Sequence, residues 1–165
     1  MANYFHQTVK IAQFVSIEIS QRGTNTYIGE NSTIDDFVKI KHVGGNGSIE
    51  IGNFVYINSG CVLYSGNGIK IGNSVLIGPN CNIVPVNHKF SDSETLIRMQ
   101  GFQESKGGII IEDDVWLGAG VTILDGAHIG KGAIIGANSL VRGNIEPYSI
   151  CIGTPIKCIA YRHKK

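Results

Sequence analysis

Residues 111–141 read IEDDVWLGAGVTILDGAHIGKGAIIGANSLV, and an aliphatic side chain recurs at every sixth position: Ile111, Leu117, Ile123, Ile129, Ile135 and Val141. Working outward, the same spacing runs through Ile71, Ile77 and Ile83, through Ile51, Ile57 and Leu63, and through Ile28, Ile34 and Ile40. The aliphatics group in threes. Extra residues fall only between one triplet and the next, and number five, two, twenty-two and none. One hexad is therefore one side of a triangle, and three hexads make a coil. An amphipathic helix would need apolar spacings of three and four, which this series lacks.

The residue four after each aliphatic is mostly small or medium: Ser32, Val38, Val55, Cys61, Val75, Cys81, Val115, Val121, Ala127, Ala133 and Ser139. Positions two apart in an extended segment share a face, and a turn between hexads points the next aliphatic inward again, so both sets fill a narrow triangular core. Glycine often follows the aliphatic, at Gly29, Gly52, Gly72, Gly78, Gly118, Gly130 and Gly136, where turn geometry favours a residue without Cβ. The pattern predicts an all-β chain, a parallel β-solenoid of five coils over residues 28–146 with one long loop at 89–108. Residues 1–27, where Ile11, Val15 and Ile17 carry a fragment of the pattern, are predicted to be a cap or partial coil. Residues 147–165 are a closing segment with a basic tail.

Composition bounds the function. With 165 residues, 42% apolar and 16% charged, the chain is one ordered domain, and 22 glycines demand many tight turns. A net charge of +1 favours neither nucleic acid nor an anionic membrane. No secretory leader or long apolar run is read, so a soluble cytoplasmic protein without membrane insertion is expected. Cys61, Cys81, Cys151 and Cys158 form no CxxC pair, and Cys61 and Cys81 share an interior slot on successive coils, which favours packing thiols. No GxGxxG fingerprint follows a strand, and no Walker or HExxH motif occurs; Glu112-Asp113-Asp114 reads as a turn.

Two stretches carry a more specific likeness: Asn58–His88, NSGCVLYSGNGIKIGNSVLIGPNCNIVPVNH, and Ile111–Ile123, IEDDVWLGAGVTI. They resemble the galactoside and maltose O-acetyltransferases, hexapeptide-repeat acyltransferases built as left-handed β-helices, a hand opposite to the usual crossover. The segment HKFSDSETLIRMQG, residues 88–101, is more similar to that of the O-acetyltransferases of capsule and lipopolysaccharide synthesis. The resemblance covers residues 28 to about 158. It implies a homotrimer with active sites between subunits, transferring acetyl from acetyl-CoA to a sugar or nucleotide-sugar hydroxyl without a metal.

The resemblance also assigns residues. His88 falls on the family's catalytic histidine, and a histidine held on a hydroxyl proton is worth on the order of 10²–10⁴ in rate; read alone, it is a surface histidine at a loop base. Asn58 aligns with the active-site asparagine that contacts the acceptor, and its amide can orient a hydroxyl without titrating; its other reading is a turn asparagine. Ser65 stands where galactoside-specific members place an acidic acceptor-binding residue, which argues against simple galactosides or maltose. Trp116 matches a tryptophan that flanks acetyl-CoA, or serves as a subunit contact. Gly118-Ala119 and Gly136-Ala137 provide a small-residue edge for the pantetheine arm, with backbone N–H groups to hold the thioester oxygen. Arg142 and Lys157, with Arg162, Lys164 and Lys165 in the tail, are placed near the CoA phosphates. Phe90, Arg98 and Gln100, in a loop that reaches a neighbouring subunit, are acceptor contacts.

Rival readings stay open: an N-acetyltransferase acting on an amino sugar, a serine or antibiotic acyltransferase, and a solenoid without catalysis. A zinc carbonic anhydrase on this fold would draw three metal ligands from His6, His42, His88, His128 and His163.

Overall fold

The computed structural model describes residues 3–163. Short parallel strands stack into three walls, and the one helix among the described residues is Ile97–Gln100. Wall A holds seven strands, from Tyr4–Phe5 to Asn144–Ile145, and wall C holds six, from Ser16–Ile17 to Leu140–Val141. Wall B holds seven parallel strands, from Lys10–Ile11 to Ser149–Ile152, and an eighth, Lys157–Tyr161, that runs antiparallel. The chain visits A, B and C in turn and coils as a left-handed parallel β-helix. Seven layers spaced by ~4.8 Å give a prism ~29 Å tall.

The register reproduces the hexad count. Ile71 lies between Ile51 and Ile111, Ile77 between Ile57 and Leu117, and Ile83 between Leu63 and Ile123. All fifteen periodic aliphatics and all eleven residues four positions later are buried. Both sets fill the core, as their spacing predicts.

Three expectations are corrected. Residues 4–17 are a whole turn, because they give one strand to each wall: Tyr4 and Phe5 pair with Tyr27 and Ile28, Ile11 with Ile34, and Ile17 with Ile40. The solenoid also runs past residue 146, since Ile150 and Cys151 pair in parallel with Ile134 and Ile135. The glycines after the aliphatics do not serve positive-φ turns. They are needed because the next coil leaves no room: a Cβ at Gly118 would lie 2.6 Å from the Ala137 nitrogen, and one at Gly52 would lie 2.5 Å from the Gly72 oxygen. The left-handed residue sits three positions after the aliphatic, at Asn31, Phe37, Phe54, Gly60, Ser74, Asn80, Asp114, Gly120, Gly132 and Asn138.

The corner between walls C and A is polar inside. Buried His42 places Nδ1 2.8 Å from Thr24 Oγ1 and Nε2 3.1 Å from Thr26 Oγ1, and Thr24 lies 2.7 Å from Ser20 Oγ. Burial holds the imidazole below its ordinary pKa, partly opposed by Glu18. The unfolded chain therefore takes up a proton at a higher pH than the fold does, so stability falls as pH drops below the ordinary histidine value of about 6.5. Urea unfolding at about pH 8 and about pH 5 is expected to show greater stability at the higher pH, and His42→Gln is expected to flatten that slope.

Candidate active site

The sequence-predicted site residues divide between two edges of the prism, one on each side of wall C. On the edge joining walls B and C, Asn58, Gly118 and Gly136 occupy equivalent positions, each directly after the wall-B aliphatic. Asn58 is half-buried and its side-chain amide donates to the Ile77 oxygen at 2.9 Å, while its carboxamide oxygen accepts from no described residue. Trp116 stands on the outer face of wall B, 52% exposed, between Leu76 and Ile134. An indole so exposed on a flat wall presents apolar surface for a partner or ligand to cover.

The backbone of this edge corrects one assignment. The Gly118 and Gly136 N–H groups donate to Ile135 and Cys151 oxygens in the coil above, at 2.7 and 2.8 Å, so neither can receive a thioester oxygen. The exposed Ala119 and Ala137 amides donate to no described residue. Lys157, on the strand Lys157–Tyr161, pairs with Ile152 at the top of the same edge.

His88 lies on the other edge, between walls C and A, where the chain leaves the strand Asn82–Val84. Its backbone forms an antiparallel bridge with Phe102, flanked by Gln103 N to Asn87 O at 2.8 Å and Lys89 N to Gly101 O at 2.9 Å. The ring is exposed and packs on Phe102 at 4.7 Å, and neither ring nitrogen is hydrogen bonded to a described residue. The two strands of the loop's base thus fix the backbone, Phe102 holds the ring, and both nitrogens stay open for a ligand.

Beside His88 is a cavity of about 600 Å³ lined by residues that include Asn87, Phe90, Lys106 and Arg142. Arg142 therefore does not join Lys157, because the width of wall C separates them; it faces the loop's base with Phe90. Arg98 is exposed on the helix Ile97–Gln100. Gln100 is engaged as a brace: its oxygen accepts from Asp92 N at 3.2 Å, and its nitrogen donates to Asp92 and Thr95 oxygens at 2.8 and 2.7 Å. These bonds tie Gln100 to the loop's own backbone. Asp92, held below its ordinary pKa by the Thr95 hydroxyl and the Glu94 amide, completes the brace.

Ser65 is also corrected. It is fully buried, with its side chain in the prism and its hydroxyl unpartnered, so it meets no acceptor. Arg162 is bound to Asp114 and the Gly132 oxygen, both at 2.9 Å, and fastens the tail to the solenoid; Lys164 and Lys165 lie outside the described residues. Of the acidic triplet, Glu112 bonds His128 at 2.7 Å and the Lys131 amide at 2.7 Å, which hold its carboxyl below the usual range, and Asp113 accepts from Asn73. No described group of three or more His, Cys, Asp or Glu is placed to hold a metal.

Asp125 was missed. Buried two positions after Ile123, its carboxylate accepts from Lys106 N at 2.8 Å, Gly108 N at 3.0 Å and Asn67 Nδ2 at 3.1 Å, so it clamps the returning end of the long loop. The available signal was its parity with Ile123, which points it inward. Asp125→Ala leaves those donors unsatisfied and is expected to cost about 2–4 kcal/mol. Thermal unfolding measures the loss, and hydrogen exchange at Lys106 and Gly108 is expected to quicken with it.

A six-residue period wound into a left-handed prism defines a hexapeptide-repeat protein. Residues 108–143 match the family described as bacterial transferase hexapeptide (six repeats). The chain is 38% identical to the galactoside O-acetyltransferase of Lactococcus lactis, over 78% of this chain and 59% of that one. It is 30% identical to WbbJ of Escherichia coli, named for lipopolysaccharide biosynthesis O-acetyl transfer, over 99% and 85% of the two chains. The fold superposes with a TM-score of 0.80 on AntD, an N-acyltransferase from Bacillus cereus in complex with dTDP and 3-hydroxybutyryl-CoA, at 24% identity over 98% of this chain and 83% of that one. The chain belongs to the hexapeptide transferase family. It spans 47 to 59% of the length of several of the relatives it matches. None of its described helices is long and apolar enough to cross a membrane.

Proposed function

We propose that the protein is an acetyltransferase that moves an acetyl group from acetyl-CoA to a sugar hydroxyl in surface-polysaccharide synthesis, at sites shared between the subunits of a homotrimer. One observation carries this reading: the donor-suited edge and the histidine-bearing edge lie on opposite sides of wall C, so a second copy is needed to bring them together. A head-to-tail contact that sets one copy's B/C edge against the next copy's C/A edge closes after three copies, with wall C toward the axis. Wall C presents Val62, Tyr64, Val84, Leu124 and Leu140 outward, all half-buried. The loop adds Phe90, Leu96, Ile97 and Met99, each more than half exposed, an apolar surface suited to a neighbouring subunit.

In this arrangement Trp116 and the small residues of the B/C edge hold the pantetheine arm, Lys157 meets a phosphate, and Asn58 orients the acceptor. His88 takes the proton from the acceptor hydroxyl, and the oxygen bonds to the thioester carbonyl. The Ala119 or Ala137 amide steadies the oxyanion. The carbon–sulfur bond then breaks, and CoA leaves as the thiol with the proton that His88 returns. Phe90, Arg98 and Arg142 face the acceptor side. Acetyl-CoA as donor places the reaction in the cytoplasm.

A second reading, N-acylation of an amino sugar, draws on the likeness to AntD. Incubating the protein with acetyl-CoA and a panel of nucleotide sugars, oligosaccharides and amino sugars, and following CoA thiol release and product mass, separates the readings. The expected product carries one acetyl group that mild alkali removes. An alkali-stable acetyl group formed only on amines supports the second reading, and no CoA release with any acceptor leaves a non-catalytic scaffold.

A further inference from the structure

The interior column of wall B runs Ile34, Ile57, Ile77, Leu117 and Ile135 in register, then ends in Cys151 with Cys158 as its cross-strand partner. Where the repeat places an aliphatic residue, the chain has a thiol, and the next position in the column is a second thiol. Cys151 is 2% exposed and Cys158 is exposed, because the last strand lies beyond the final coil, where the prism interior opens to solvent. The ladder shifts register between Ile150 and Cys151, with Ile159 as the extra residue, and Cys151 and Cys158 are the opposed pair beyond it; opposed residues of an antiparallel pair have Cα atoms about 4.5–5.5 Å apart, within the roughly 4.4–6.8 Å that disulfides span. Both are free thiols: Cys151 Sγ lies 3.3 Å from Ser149 Oγ, and Cys158 Sγ lies 3.4 Å from the Ala160 oxygen. The other two cysteines differ. Cys61 and Cys81 are fully buried at mid-prism and donate to Gly78 and Gly118 oxygens, out of reach of a soluble oxidant.

We propose that Cys151 and Cys158 form a reversible thiol–disulfide site that fastens the last strand to the solenoid, with a small soluble disulfide such as oxidised glutathione as the oxidant. The exposed Cys158 thiolate attacks one sulfur of the oxidant, and one glutathione thiolate leaves and takes up a proton. Cys151 then loses its proton to water, attacks Cys158 Sγ and releases the second glutathione. The two protein thiols are oxidised, and one glutathione disulfide is reduced to two thiols. Burial holds the Cys151 thiol above its ordinary value, which makes Cys158 the attacking group and Cys151 the resolving one. The site places the strand bearing Lys157, and the Arg162 bridge beyond it, under thiol control.

The test is oxidation of the folded protein with oxidised glutathione, then denaturation, alkylation of remaining thiols and trypsin digestion. Cleavage after Arg142, Lys157 and Arg162 leaves Cys151 in peptide 143–157 and Cys158 in peptide 158–162. The expected product is these two peptides joined, lighter by two hydrogens than their sum, split by dithiothreitol and absent from Cys158→Ser. In the oxidised protein, hydrogen exchange over residues 157–161 is expected to slow by about tenfold or more. A glutathione adduct left on Cys158 beside an alkylated Cys151, a link to Cys61, Cys81 or a second chain, or unchanged exchange in the joined product would overturn the proposal.

Discussion

His88→Ala is expected to lower kcat for acetyl transfer by about 10²–10⁴, the usual worth of a positioned general base, while KM for acetyl-CoA changes little. The two halves of this expectation have separate structural origins. The loss in kcat follows from a ring whose nitrogens have no described partner and whose placement is set by the bridge to Phe102 and by ring packing. The unchanged KM follows from the division of roles in the proposed site, where Trp116, Lys157 and the small residues of the B/C edge hold the donor and His88 handles only the proton. Because the ring is exposed, its removal should change stability by no more than about 0.5 kcal/mol, so unfolding curves of the variant and the parent should superpose. Phe102→Ala is the companion variant. It leaves the imidazole in place but removes its support, and it should give a smaller loss of kcat that is not compounded when combined with His88→Ala. Steady-state rates with the best acceptor from the panel decide the matter, and transfer by His88→Ala within about twofold of the parent would remove His88 from the chemistry.

Much of this architecture is legible in the chain because the period is rigid. Each coil must stack on the one below, so Ile57, Ile77 and Leu117 have to stay in register, and insertions are tolerated only at the corner between walls C and A. Parity carried further than the family likeness did. Ser65, two positions after Leu63, is interior by the same rule that puts Asp125 inside, whereas alignment with an acidic binding residue placed it at the surface. The first turn was obscured because Tyr4, Phe5 and Lys10 do not repeat the aliphatic series, and pairing with Thr26–Ile28 and Thr33–Ile34 supplies what composition does not. The glycine positions were legible, but their cause was not: a Cβ at Gly118 is excluded by the Ala137 backbone nineteen residues later, a contact that exists only once the coils stack. The brace at Gln100 and the place of Arg142 beside Phe90 were not legible for a related reason, since the loop's internal bonds and the cavity at its base follow no period. The pairing of Cys151 with Cys158 depends on a hairpin register that the hexads do not specify.

Mixing two inactive variants, Asn58→Ala and His88→Ala, should restore about a quarter of the parental activity. If Asn58 of one copy serves His88 of the next, each site in a randomly mixed trimer draws its histidine from one chain and its asparagine from another. With equal amounts of the two variants, the chance that a site receives both intact residues is one half times one half. Co-expressing the chains with different affinity tags and purifying on both in succession selects mixed trimers. These must contain two chains of one variant and one of the other, so one site in three receives both intact residues and the restored fraction rises to about a third. The physical basis is that Asn58 follows a wall-B strand and His88 follows a wall-C strand, so one chain holds them on different edges with a row of wall-C strands between. No rotamer change spans that separation, and the strands cannot move without breaking the stack that buries Leu63, Ile83 and Ile123. A site built within one chain predicts the opposite result: mixed assemblies would be as inactive as either variant alone. The double variant mixed with parent provides the calibration, since it contributes neither residue and each of its chains disables two neighbouring sites. Parental activity should then fall with the square of the parental fraction rather than in proportion to it.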